Sequence, residues 1–162
     1  METIVAGYDG TRHSERALRR AAELARPFGA RVVVVTVVAP APLEPAATVG
    51  GFGLLPYWTY PLEEPGESAK PEEALWQRHR ERVEGLFAEA GVPAEFDGVL
   101  GEPVERIIDV AEETHADLIV VGTREPGFFE RLFGGSVSTA VARQAHCDVL
   151  VVHPGTDEGG AP

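Results

Sequence analysis

The stretch VVGTREPGFFERLFGGSVSTAVARQAH, which begins at Val120, holds the residues with the clearest chemical possibilities. In Gly134-Gly135-Ser136-Val137, two glycines let the backbone approach a bulky anion, and the amides that follow stay unpaired at a helix N-terminus. The helix dipole adds about 0.3–1 kcal/mol for each such contact. Ser136 offers a hydroxyl, and Arg124 or Arg131 can pair with a terminal phosphate. The same residues also make an ordinary turn with Ser136 as the N-cap of the next helix. Spacing alone leaves both readings open.

A second loop, Gly7-Tyr8-Asp9-Gly10-Thr11, follows the first apolar run. In doubly wound sheets, ligands bind beyond the carboxyl ends of the strands, where the winding reverses. If the first and fourth strands are neighbours, Asp9 and Gly122 flank one crevice there, and His13 lies close to it. Other phosphate loops are absent: there is no Gly-x4-Gly-Lys-Ser/Thr and no Gly-x-Gly-x-x-Gly after the first strand. No Gly-x-Ser-x-Gly elbow is present either. The histidines (His13, His79, His115, His146, His153) show no metal-ligand spacing. His146-Cys147-Asp148 are consecutive at a strand start and cannot all face one ion, so Cys147 reads as a buried structural thiol. We assign no catalytic residue and no metal ligand, and expect no rapid turnover.

These loops need a scaffold. Short β-branched runs stand at Thr3–Tyr8, Arg31–Val38, Ala94–Leu100, Asp117–Val121 and Val149–Val152. Several are apolar on consecutive residues, as strands buried on both faces are. AEFDGVL, with acids and a glycine inside it, reads as an edge strand. Helical stripes lie between: Ala17, Leu18, Ala21, Leu24, Ala25 and Phe28 in the first, then Leu75, His79, Val83, Leu86 and Ala90. Val104, Ile107, Ile108 and Ala111 follow, and Val137, Ala140, Val141 and Ala145 form the last. The order βαβαβαβαβ predicts an α/β fold, an open parallel sheet wound with helices on both faces.

One domain over 1–155 fits the 162 residues, with 156–162 as a flexible tail. Residues 39–71, rich in proline and aromatics, are far longer than the usual connection of about 2–6 residues. They form an ordered insertion that can be a lid on a ligand, a plug in its place or a dimer contact. Phe128, Phe129, Leu132 and Phe133 make a further apolar cluster, which seals its loop or docks a partner. Fourteen basic against 26 acidic residues give a net charge of −12, which argues against nucleic acid and anionic membrane as partners. With one cysteine, no signal-peptide pattern at the start and no bilayer-length apolar run, we expect a cytoplasmic protein.

Three blocks, IVAGYDGTRHSERAL, DLIVVGTR and GSVSTAVARQAHCDVLVV, resemble the universal stress protein family over nearly all the chain outside the insertion. The last block is the specific one. The resemblance implies a Rossmann-like, doubly wound sheet of strand order 3-2-1-4-5. It also implies a module that binds ATP or AMP, without significant turnover, in stress or energy adaptation. It places Asp9 on the ribose and adenine side, Val37 at an adenine wall, and Gly7 and Tyr8 where the first strand meets the base. Val121, Gly122, Arg124, Gly135, Ser136 and the Val137 amide then fall on the phosphate side. The nucleotide-binding branch carries Gly, two residues, Gly, nine residues, then Gly with Ser or Thr. Here Gly122 and Gly135-Ser136 keep that spacing, and Glu125 replaces the middle glycine. A positive φ at Glu125 costs roughly 1–2 kcal/mol. A carboxylate about 5 Å from a phosphate charge adds roughly 3 kcal/mol of repulsion. Gly127 can supply the flexibility instead, or Glu125 can hold Mg beside the phosphates. The family commonly dimerises through its last strand, so CDVLVVHP implies a homodimer; a protein client is also possible. A nucleotide-free dimeric protein with a closed pocket, and a slow ATP hydrolase, are the alternatives.

Overall fold

The computed structural model describes residues 1–39, 70–123 and 137–153. The elements run β1 (Thr3–Gly7), α1 (Arg12–Phe28), β2 (Arg31–Val38), α2 (Pro71–Ala90) and β3 (Ala94–Leu100). They continue as α3 (Pro103–Glu113), β4 (Leu118–Gly122), α4 (Val137–Gln144) and β5 (Asp148–Val152). The five strands form one parallel sheet in the order β3-β2-β1-β4-β5, as the family resemblance implies.

Strand residues point alternately to the two faces, and both faces are covered. Ile4, Ala6, Val32, Val34 and Val120 pack with Leu18 of α1 and Val83 and Phe87 of α2. Val5, Val33, Val35, Ile119 and Val121 pack with Ile107 and Val110 of α3 and Val141 of α4. Each fully buried valine or isoleucine contributes about 1.5–3 kcal/mol of transfer free energy, which is why the apolar runs are continuous and not alternating. Among the described residues β3 and β5 are the edges. Arg31 of β2 pairs with Glu95 of β3 at 2.9 Å. In β5 the four residues after Asp148 are all half-buried and apolar.

Local signals explain the ends of the helices. Thr11 caps α1 by accepting from Ser14 N at 3.3 Å, and Gly29 (φ 63°) stops it. Pro71 and Pro103 open α2 and α3, where a missing N–H costs nothing. Two expectations need correction. Phe28 is 60% exposed: it is the last residue of α1, next to the Gly29 stop, and the buried stripe ends at Ala25. Val137 is 41% exposed. The inward line of α4 runs through Ser138 and Val141 toward Ala145 just past its end, and Val137 sits to one side of it. The insertion falls largely on 40–69 and the tail on 154–162; both lie outside the described residues. Among the described residues no helix is long and apolar enough to cross a membrane.

Candidate functional site

β1 lies between β2 and β4, so the chain after Gly7 and the chain after Gly122 leave the sheet side by side. This is the point where the winding reverses. The turn after β1 is tightly organised. Asp9 Oδ1 accepts from Thr11 N at 3.0 Å and from Thr11 Oγ1 at 2.6 Å, while Asp9 N donates to Ser14 Oγ at 3.3 Å. Such a bond from an aspartate to the amide two residues on builds a turn around its own carboxylate. Asp9 is nevertheless exposed, so its carboxylate can also accept from a ligand hydroxyl.

Gly122 answers to a different requirement. A Cβ there would fall on the His13 carbonyl, 2.7 Å from its carbon and 3.1 Å from Ser14 N. The first turn of α1 thus passes directly over the end of β4, and only a glycine admits it. His13 meets the crevice through its backbone in this contact. The same first turn carries Thr11 and Ser14, so the packing at Gly122 also fixes the surroundings of Asp9.

The remaining residues assigned from sequence divide between the faces. Gly7, Val37 and Val121 turn toward α3: a Cβ at Gly7 would lie 3.2 Å from Ile107 Cδ1 and 3.4 Å from Val121 Cγ1. Val37 pairs in register with Val99, and both are only partly buried, with Val104 of α3 alongside. They form an apolar shelf at the carboxyl ends of β2 and β3, suited to a flat ring. The ring of Tyr8 goes the other way. It is 6% exposed in the core under α1 and α2, so only its main chain reaches the crevice. Burial pushes its phenol pKa up, and the nearby Glu15 carboxylate adds to the rise. Arg124, Gly135 and Ser136, together with Glu125 and Gly127, lie outside the described residues. Val137 opens α4, so its amide is among the donors that a helix N-terminus leaves unpaired.

Sequence reasoning read His79 as part of a core stripe and did not single out Thr36. The structure brings both to the back of the Asp9 turn. The His79 ring meets Tyr8 edge to face at 4.9 Å, and its Nδ1 stands 3.4 Å from Thr36 Oγ1. Thr36 Oγ1 donates to the Tyr8 carbonyl at 2.9 Å. Burial holds the His79 pKa below its usual value against an opposing pull from Asp9. A threonine inside the valine run of β2 and a histidine on the apolar stripe of α2 were the available signal. Among the described residues no group of three or more His, Cys, Asp or Glu is placed to hold a metal.

The universal stress protein family model matches residues 1–153. A universal stress protein of Thermus aquaticus is 39% identical over 157 residues, spanning 93% of this chain and 98% of the relative. A solved universal stress protein in complex with cAMP is 28% identical, with a TM-score of 0.64 over 94% of this chain and 96% of that one. The protein of Archaeoglobus fulgidus in complex with dAMP is 25% identical, with a TM-score of 0.61 over 93% and 96%. The family match takes in every strand and helix described above, from β1 to β5, and this chain belongs to the universal stress protein family.

Proposed function

We propose that the chain binds an adenine nucleotide, ATP or AMP, in the crevice between the ends of β1 and β4, and releases it without significant turnover. It then serves as a nucleotide-responsive module in cytoplasmic stress or energy adaptation. The observation that carries this reading is the exposed Asp9 carboxylate, held by its own turn at the switch point, with the Val37–Val99 shelf on the neighbouring strands. The shelf suits the base, and the carboxylate suits the paired hydroxyls of a ribose. The phosphates then lie toward the α4 N-terminus, where Gly135, Ser136 and Arg124 belong to the connection from β4. Similar proteins solved with cAMP and dAMP support the choice of ligand. Magnesium, if used, is held by Glu125 with the phosphates.

Titration calorimetry of the nucleotide-stripped protein with ATP and AMP, with and without magnesium, tests this. We expect micromolar binding and a drop of about 10- to 100-fold in Asp9→Ala, from the loss of hydrogen bonds to a charged acceptor. Unchanged affinity in that variant, or no binding to the wild type at millimolar nucleotide, sinks the reading.

The same reading includes a homodimer formed through β5. Among the described residues that strand pairs only with β4, and it carries Val149 to Val152 with no charge after Asp148. Light scattering at micromolar concentration is expected to give twice the chain mass, and Leu150→Lys to give the single mass. A monomeric wild type removes the dimer and leaves nucleotide binding to its own test.

A further inference from the structure

His79 lies on the face of the sheet opposite the Val37–Val99 shelf, and nothing in the proposed ligand contacts uses it. Its hydrogen bonds nevertheless assign its proton. Thr36 Oγ1 is 2.9 Å from the Tyr8 carbonyl and 3.4 Å from His79 Nδ1. A threonine hydroxyl has one proton, and a carbonyl can only accept, so that proton goes to Tyr8. Thr36 Oγ1 is then the acceptor for the ring, and Nδ1 carries the imidazole hydrogen. In the neutral ring Nε2 is therefore bare. That nitrogen faces Gly10, where an added Cβ would lie 2.7 Å from it. Gly10 also has φ +81°, so its missing side chain serves both the turn and the ring. One imidazole thus braces the residue before Asp9, through Thr36 and the Tyr8 carbonyl, and the residue after it.

The geometry points to His79 as a positioning residue of the site: neutral, it braces the Asp9–Gly10 turn from behind, and protonated, it draws the Asp9 carboxylate away from the ligand. This rests on the reading that Asp9 accepts from a bound nucleotide. Nucleotide affinity consequently falls in mild acid.

The groups facing His79 set the direction. Asp9, from the turn, favours the imidazolium, while burial and Arg78 on its own helix oppose it, with burial the largest influence. Tyr8, just after β1, and Thr36 from β2 carry no charge there. From α1, Glu15 lies beyond Tyr8 and is already clasped by Arg82 of α2 at 2.6 and 3.1 Å. β3 presents Gly98, beneath the Trp76 indole. Burial keeps the His79 pKa below its usual value, so the ring is mainly neutral at pH 7. A ligand hydroxyl that occupies the Asp9 carboxylate removes part of what stabilises the imidazolium. Binding and protonation therefore oppose one another.

Nuclear magnetic resonance of the ligand-free full chain tests the brace without any nucleotide. The neutral His79 ring is expected to show the Nδ1–H tautomer, and the Gly10 amide to titrate with the same midpoint as the ring. In His79→Asn the Gly10 amide should be flat over that range. An Nε2–H tautomer, or a Gly10 amide that ignores the ring, overturns the proposal. AMP titrations then test the link to the ligand. His79→Asn, whose amide can stand in for Nδ1–H, should stay within about threefold of wild type at pH 7.5. His79→Leu should be about tenfold weaker. Between pH 7.5 and 5.5 the wild type should lose about twofold more affinity than His79→Asn, a small difference because burial depresses the His79 pKa, and one in which AMP's own titration cancels. Matching pH profiles overturn the proposal. If the wild type binds no AMP at pH 7.5, the nucleotide reading falls, and the tautomer and Gly10 titration decide the brace by themselves.

Discussion

Gly122→Ala is expected to lower stability by about 3 kcal/mol, the upper end of what forced overpacking costs. For a chain of this size that corresponds to a thermal midpoint lower by about 6–12 °C. The new methyl group meets the His13 carbonyl and, at 3.1 Å, Ser14 N, both backbone atoms of the first turn of α1. A side chain can change rotamer to make room, but a helix turn moves only by displacing its neighbours. Here those neighbours include Thr11 and Ser14, the hydrogen-bond partners of Asp9. Ligand affinity should therefore fall with stability. Gly7→Ala is the control, since its methyl group meets the ends of the Ile107 and Val121 side chains at 3.2 and 3.4 Å. That change should be several-fold milder. Equal stability of Gly122→Ala and wild type in urea denaturation sinks the close-approach account.

Phe87→Ala is expected to cost about 3–5 kcal/mol, the loss of a large buried ring plus the cavity it leaves. Among the described residues Phe87 is the bulkiest fully buried side chain, set in the layer between α2 and the sheet. A domain of ordinary stability has only about 5–15 kcal/mol in total, so this variant should show a partly unfolded population on mild heating. Phe28→Ala removes an identical side chain that is 60% exposed, and should stay within about 0.5 kcal/mol of wild type. Similar urea midpoints for the two variants would contradict the packing described.

Phe87 also marks what periodicity can and cannot reveal. The order of strands and helices was legible because double-sided burial forces continuous runs such as VVVV, which few other environments favour. The strand order and the family came from the resemblance of three blocks, not from the pattern itself. Within α2, a single line through Val83, Leu86 and Ala90 left out Phe87. The helix is inserted against β2, β3 and α1 together there, so its buried face is wider than one stripe. At the site, Gly122 was legible as a special position, but its physical reason was not, because the partner is a backbone turn in α1. Tyr8 was placed at the ligand by the family resemblance, and strand alternation turns its ring to the other face. His79 looked like one more inward residue of α2. Its meaning depends on Thr36 and Gly10, which only the folded sheet brings beside it.

That alternation separates two kinds of inheritance. Val37 is part of the shelf and Gly7 turns to the same face, while their immediate neighbours Thr36 and Tyr8 meet the histidine. Under the two proposals above, a point substitution on either strand is expected to alter ligand choice or acid response, but seldom both. Descendants of such a chain can diversify one trait while conserving the other, and a one-residue deletion in β2 is the simplest event that scrambles the two at once.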